Sequence, residues 1–538
     1  MPRLSRLTWP WTAGVAVLLT AAFLLAPRMG TDLAAQQARA DFAERWGSAP
    51  IDFSWYGGVN QFGYSLFTGW LGAVVGVRVL GALAAIGAAL AFQWLLLATG
   101  ARRPMLGGIL GALVFVANLV SGRITFAVGL ALGLLALCLV TVPLSRLPRL
   151  LLVAVAAALA TWASPVAGLF VGVAGAALLI AAFVSVGTER EHPASFAART
   201  KAALHGLRVR APRPYWPDAV TLCVAPAVAL APMALLFSDG GEQPFTADSM
   251  RIHIALAVLV ALVVPARYRA LRIGALLTVA LLLIAFYLPS PIGSNALRLP
   301  LLFTLPVVAA YANLTRPVLT FVLVATWWWQ PPVITSDLYR AGSVETSAAF
   351  YRPLVDELRR RAPGRAEVVP LQDHWESAYV AAAVPLARGW LRQVDMDRNP
   401  LFYADQLDPA AYAAWLRANA VSYVAVAPGS TPDRWARAEA ALVSAGIPAL
   451  RRVWTDGTWV LYEVTEPQPL VAPPAALVAS DRAGITFDAP AAGDVLVRVR
   501  WSRWLILRGG AGRVTPGPDG WTLVHVAAPG RYRLTSEL

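Results

Sequence analysis

Polar residues that could do chemistry stand at the ends of long apolar segments: Asp32, Asp52, Arg123, Asn295 and Arg298. Ionisable groups at a membrane boundary are costly unless they pair or work. Asp32 closes Met29-Gly30-Thr31-Asp32, just after the first apolar segment. One reading makes it the N-cap of a helix over Leu33–Trp46, since Asp and Thr favour that position. The other makes it a general base at the water-facing boundary, taking a proton from an acceptor hydroxyl. Further on, His374 and Glu376 are two residues apart with no third ligand nearby. Zinc needs three or four ligands, so the pair reads as a loop touching the membrane cavity or as ordinary packing.

The elements that must position these residues are set by composition. The chain has 538 residues, 57% of them hydrophobic and only 14% charged, with a mean hydropathy of +0.58. Long, nearly charge-free runs separated by short Arg-bearing loops define a membrane protein. The net charge of +14 is carried almost wholly by Arg, Lys201 being the single lysine. In the membrane half many of these cations sit in short loops, as topology signals rather than a nucleic-acid groove. Cys138 and Cys223 lie in apolar segments, which argues against a disulfide or a thiolate metal site. The sequence holds no P-loop, no nucleophile elbow and no His-rich metal box. The N-terminal stretch, with Arg3 and Arg6 before an apolar run to Pro27, reads as a retained first helix that starts in the cytoplasm.

About eleven transmembrane helices are expected, near residues 10–27, 79–99, 105–119, 124–143, 149–163, 165–185, 217–237, 251–265, 273–288, 299–313 and 316–332. Arg102/Arg103, Arg146/Arg149, the cations from Arg190 to Arg213, Arg267/Arg269/Arg272 and Arg316 then share one side, the cytoplasmic one. His192 and His205 fall in a cytoplasmic loop, and the Trp327-Trp328-Trp329 run anchors the last helix at the opposite interface. Residues 1–334 form the transmembrane domain, with a first exterior loop over 28–63. Within that loop Thr31–Trp46 reads as a surface helix with Ala35, Ala38, Phe42 and Trp46 along one face. Tyr64–Val77 is apolar but too short to span, hence re-entrant or interfacial.

After Pro332 the composition changes. Residues 335–465 read as an extracytoplasmic α/β domain, with helices over Phe350–Arg361 and Thr431–Ala445, strands over Ala366–Leu371 and Val421–Ala427, and a hairpin turning at Asp456-Gly457. Residues 466–538 read as an extracytoplasmic β domain, sandwich-like, with strands near Val495–Arg500, Trp504–Leu507, Thr522–Val526 and Tyr532–Thr535.

The order of these parts resembles the GT-C superfamily of lipid-linked-sugar glycosyltransferases, which includes protein O-mannosyltransferases and mycobacterial arabinofuranosyltransferases. The resemblance is carried by Ser54-Trp55-Tyr56-Gly57-Gly58 with Tyr64-Ser65-Leu66, by Ser121-Gly122-Arg123-Ile124-Thr125-Phe126, and by Pro291-Ile292-Gly293-Ser294-Asn295-Ala296-Leu297-Arg298-Leu299. His374-Trp375-Glu376 and Pro385-Leu386-Ala387-Arg388-Gly389-Trp390 add to it, and the whole is similar to actinobacterial proteins of this type. Many GT-C enzymes carry paired acids in the first loop, whereas here Thr31 precedes the single Asp32.

The resemblance implies a GT-C-like polytopic fold and an inverting glycosyltransferase of the bacterial inner membrane. The donor would be a polyprenyl-phosphate sugar and the acceptor an envelope glycan, lipid or protein. Asp32 would be the catalytic base. Arg298 and Arg123, whose forked donors suit phosphate, would hold the leaving group, with Asn295 beside them. The alternative for each Arg is snorkelling to lipid headgroups. Asp52, Trp55, Tyr56 and His374 would serve the acceptor side. No cofactor is required by the sequence, and a divalent cation is left open. Two other classes compete: a secondary transporter or flippase, against which the odd helix number and missing repeat count, and a non-catalytic scaffold of envelope biogenesis.

Overall fold

The computed structural model describes residues 3–191, 215–404 and 407–538. The expectations for His192, His205 and the cations up to Arg213 fall on a segment outside the described residues.

Helices occupy all eleven expected positions: Arg3–Leu25, Val77–Ala98, Pro104–Val120, Ile124–Thr141, Arg146–Ala163, Pro165–Glu191, Trp216–Leu236, Ala247–Val263, Arg269–Tyr287, Arg298–Tyr311 and Arg316–Trp329. Seven of the described helical segments are long and apolar enough to cross a membrane, the seventh counted over Gly293–Tyr311. Ala247–Val263 and Arg316–Trp329, at 17 and 14 residues, fall short of that length. The chain is a polytopic α-helical membrane protein. Proline opens several of these helices, where its missing N–H has no partner to lose. Inside Trp216–Leu236, Pro226 and Pro232 each remove a rung of the hydrogen-bond ladder.

The loops divide between two faces. On one, Arg103 donates to the Ala312 and Leu314 carbonyls at 2.9 Å each, and Tyr268 Oη donates to the Gly100 carbonyl at 2.7 Å. On the other, the tail docks: Gly342 N donates to the Arg28 carbonyl at 2.9 Å and Trp504 Nε1 to that of Leu236 at 3.0 Å. Arg149, expected among the loop cations, is instead buried in a bidentate pair with Asp218, at 2.7 and 3.0 Å.

The tail contains a four-stranded mixed sheet. Arg365–Val368 pairs in parallel with Val421–Val426, which pairs antiparallel with Val460–Val464, and Leu450–Thr455 closes the sheet. The hairpin turns at Asp456-Gly457, where Asp456 Oδ1 accepts from Thr458 N at 2.9 Å. The helix expected from Thr431 begins at Arg437, because Asp433 Oδ1 accepts from Trp435 N at 3.0 Å and holds the preceding residues in a turn. Two antiparallel sheets of four and three strands follow. They include Ala476–Asp481, Gly484–Ala489 and Gly512–Pro516, which the sequence did not suggest.

Two expectations for the first loop are corrected. Leu33–Trp46 is not a surface helix: Ala34, Ala38 and Phe42 are buried, and so are Leu33, Ala40 and Ala43 on its other faces. Its small side chains let Thr68–Val75 approach on one side, and Glu376–Tyr379 packs against it from the tail. Thr68–Val75 itself keeps Trp70 and Val74 exposed, an apolar face suited to lying in a membrane interface. The second correction concerns Asp52, Trp55 and Tyr56, which are buried rather than open to an acceptor. Ile51–Asp52 and Val59–Asn60 form a small hairpin wedged into the tail, with Ile51 and Phe53 in the core of the two antiparallel sheets.

Asp52 is buried against Arg482, which also donates to the Ala38 carbonyl at 3.0 Å, while Ser54 Oγ donates to Asp52 at 2.6 Å. Trp55 Nε1 donates to the Ser377 carbonyl at 2.9 Å, and Tyr56 Oη to that of Gly389 at 2.7 Å. Removing one partner of a buried ion pair strands the other charge. Asp52→Ala is therefore expected to destabilise the protein by about 3–5 kcal/mol, with Asp52→Leu/Arg482→Met recovering most of the loss. Thermal unfolding in detergent checks this, and equal melting of Asp52→Ala and wild type would refute it.

Candidate active site

Two tight turns bring Asp32 and Arg123 together. Gly30, at φ +99°, lies against the Val120–Gly122 backbone so closely that a Cβ would sit 2.5 Å from it. Gly122, at φ +75°, faces the Leu33 backbone in the same way, and only glycine is at ease there. Asp32 N donates to the Ser121 carbonyl at 3.2 Å, which locks the two turns. Asp32 precedes the Leu33–Trp46 helix but has helical φ and ψ of −82° and −10°, and its side chain caps nothing. The carboxylate instead faces Arg123 Nε at 3.5 Å, with 31% of the Asp32 side chain exposed.

Arg298 opens the Arg298–Tyr311 helix and is 8% exposed, its guanidinium 5.0 Å over the Phe126 ring. Its Nη1 is buried with no hydrogen-bond partner. Asn295 lies on the preceding turn, Gly293–Leu297, and donates a long 3.4 Å bond to the Pro291 carbonyl.

Asp32, Arg123, Asn295 and Arg298 all line one cavity of about 1210 Å3 between the helix bundle and the tail. Its floor lies among membrane helices and is apolar, with Leu169 and Val173 of Pro165–Glu191, Leu230 and Met233 of Trp216–Leu236, and Leu277, Leu281 and Ile284 of Arg269–Tyr287. The roof comes from the tail: Trp390, Arg392, Arg434 and Trp435. Several cations, the carboxylates of Asp32 and Asp239 and an apolar trough thus share a single space, which suits an amphiphile with an anionic head. Among the described residues, no group of three or more His, Cys, Asp or Glu is arranged to hold a metal ion.

His374 stands one layer behind the wall and does not line the cavity. Its ring stacks on Trp390 with centroids 3.4 Å apart, and it lies 3.5 Å from Glu376 and 3.6 Å from Asp433. Burial works against its charged form, but the two carboxylates outweigh it and raise its pKa. Asp433, held low by His374 and Arg392 despite burial, pairs with Arg392 at 3.0 Å and so ties the layer to the cavity roof.

Sequence reasoning missed several wall residues, among them Arg39, Tyr64, Asp239, His253 and Arg392. It also missed Asp337, on the short Thr335–Tyr339 helix just past the last membrane helix, although the polar-boundary rule that singled out Asp32 applies there too. Asp337 is buried: Arg340 Nη2 donates to its Oδ1 at 2.9 Å, while its Oδ2 is buried without a hydrogen-bond partner. Burial first, then the charge of Asp32, push its carboxyl up to about 6.

A carboxyl whose folded pKa is raised holds its proton more tightly when folded, so its stabilisation is complete below the unfolded value of 3.8 and is lost as pH rises through about 6. Asp337→Asn, which mimics the protonated form, is expected to remove that decline. Melting temperatures of both proteins across this window check it. A wild-type-minus-variant difference that stays flat would count against the assignment.

The fold and cavity together define a multi-pass membrane protein with an amphipathic, cation-rimmed chamber under a mixed α/β tail. No protein-family model matches the chain, and no curated protein matches it by sequence. Among solved structures it is similar to a mutant of arabinofuranosyltransferase AftD from Mycobacteria, at 15% identity and a TM-score of 0.43, over 98% of this chain and 60% of that one. It is also similar to the archaeal oligosaccharyltransferase AglB from Archaeoglobus fulgidus, solved with an inhibitory peptide and a dolichol-phosphate, at 12% identity and a TM-score of 0.41, over 79% and 70% of the two chains. A structure of the Archaeoglobus fulgidus oligosaccharyltransferase tethered with an acceptor peptide gives 12%, 0.40, 85% and 74%. The chain spans 60% of the length of the first of these.

Proposed function

We propose that this chain is a GT-C-type glycosyltransferase that moves a sugar from a polyprenyl-phosphate donor to a hydroxyl of an envelope acceptor. The observation that carries the reading is the shared cavity: Asp32, Arg123 and Arg298 stand at the head of an apolar trough. A polyprenyl chain fills the trough, and its phosphate lies between Arg298 and Arg123. Arg298 Nη1 then gains the partner it otherwise lacks.

Asp32 accepts the proton of the acceptor hydroxyl. The acceptor oxygen bonds to the anomeric carbon as the bond from that carbon to the phosphate oxygen breaks. The polyprenyl phosphate leaves as an anion neutralised by the two arginines, and a single displacement of this kind inverts the anomeric centre. We place the tail and the cavity mouth outside the bilayer, since the short loops rich in arginine lie on the opposite face.

Purified full-length protein in lipid nanodiscs, given a radiolabelled polyprenyl-phosphate sugar, is expected to release polyprenyl phosphate and label an added saccharide. Flux of intact donor across proteoliposomes without transfer would replace this reading with a flippase.

A further inference from the structure

The donor phosphate accounts for Arg123 and Arg298 at one end of the cavity and leaves Arg39 unexplained. Asp32, Ala35, Gln36 and Arg39 lie at i, i+3, i+4 and i+7 of one helix face, and all four line the cavity. Arg39 therefore stands about 10 Å along the helix axis from Asp32.

Its guanidinium is held 4.5 Å over the Tyr64 ring, and its Nη1 is buried without a hydrogen-bond partner. Asp239, the other carboxylate of the cavity wall, is already engaged by Asn60 N at 3.0 Å, Asn60 Nδ2 at 3.1 Å and Arg398 at 3.4 Å. Asp52 belongs to Arg482. A fixed guanidinium with an unpaired donor, on a residue that lines a chamber, is a site for an oxyanion.

We infer that Arg39, backed by Tyr64, binds an anionic group, phosphate or carboxylate, carried by the acceptor. The inference rests on the glycosyltransferase reading and deepens it: the acceptor is an acidic saccharide whose charge lies a short saccharide's reach from the hydroxyl that meets Asp32.

The test uses the full chain in nanodiscs saturated with polyprenyl phosphate, so that the Arg298 end is filled. Glucose, glucose 6-phosphate and glucuronate are then titrated separately, with inorganic phosphate as a control. Both charged sugars are expected to bind roughly 10- to 100-fold more tightly than glucose, the range for a charge-assisted hydrogen bond. Arg39→Gln is expected to abolish that preference while leaving polyprenyl-phosphate binding unchanged. Arg39→Lys keeps the charge, and with it the fold, and is expected to retain a weaker preference because the fork is lost.

Equal binding of the three sugars to wild type, or an undiminished preference in both variants, overturns the inference. Inorganic phosphate binding as tightly as glucose 6-phosphate overturns its acceptor part. Failure of wild type to bind polyprenyl phosphate at all sinks the proposed function instead.

Discussion

Replacing Asp32 by asparagine is expected to slow sugar transfer by about 10^2–10^4-fold, the share a positioned general base supplies, while the protein folds and binds lipid as before. Asn keeps the size and hydrogen-bonding reach of the side chain but does not take up a proton. Helix stability is not at stake, because the Asp32 side chain makes no capping bond that the change would remove. Its link to Arg123, at 3.5 Å and partly exposed, is an ion pair of modest strength. A loss of rate without a loss of melting temperature is therefore the signature of chemistry at this carboxylate. Initial rates with a polyprenyl-phosphate sugar decide it, and wild-type turnover by Asp32→Asn would falsify the mechanism.

The second large effect is expected at Arg298. Arg298→Gln should weaken polyprenyl-phosphate binding by roughly 10- to 100-fold, as one charge-assisted contact is lost. The stability of the empty protein should move the other way. A buried guanidinium with an unpartnered Nη1 is a burden on the fold, so Arg298→Gln is expected to melt no lower than wild type. A residue that merely reached for lipid headgroups would not show the pairing of lost binding with kept stability. Equilibrium binding and thermal unfolding on one preparation separate the two roles. Unchanged affinity for polyprenyl phosphate would remove Arg298 from the site.

What could be read in the sequence follows the range over which each signal acts. The apolar runs marked all eleven helix positions because hydropathy is local. The hairpin at Asp456-Gly457 was legible because turn chemistry is local as well. Asp32, Arg123, Asn295 and Arg298 were picked out by standing at the same ends of apolar segments, and the structure brings them to one cavity.

The failures are long-range. Asp52 looked available for a substrate because its partner, Arg482, is 430 residues away. Trp55 and Tyr56 were assigned to the acceptor side for the same reason, their partners being Ser377 and Gly389. The Leu33–Trp46 helix looked one-sided, yet its alanines invite neighbours on every side, which a single-face pattern hides. Arg39 was passed over because Tyr64 and Asp239, which define its surroundings, come from different segments.

The wedge of Ile51–Asn60 in the tail has a consequence for biosynthesis. Its anchor residues leave the ribosome 430 positions before Arg482 does. At ordinary elongation speeds this is a delay of roughly 20–90 s. Throughout that interval a hairpin made to be buried waits unclad beside the translocon, a nascent-chain stage open to proteases and dependent on chaperones. Synthesising the two halves as separate polypeptides would leave that stage permanent.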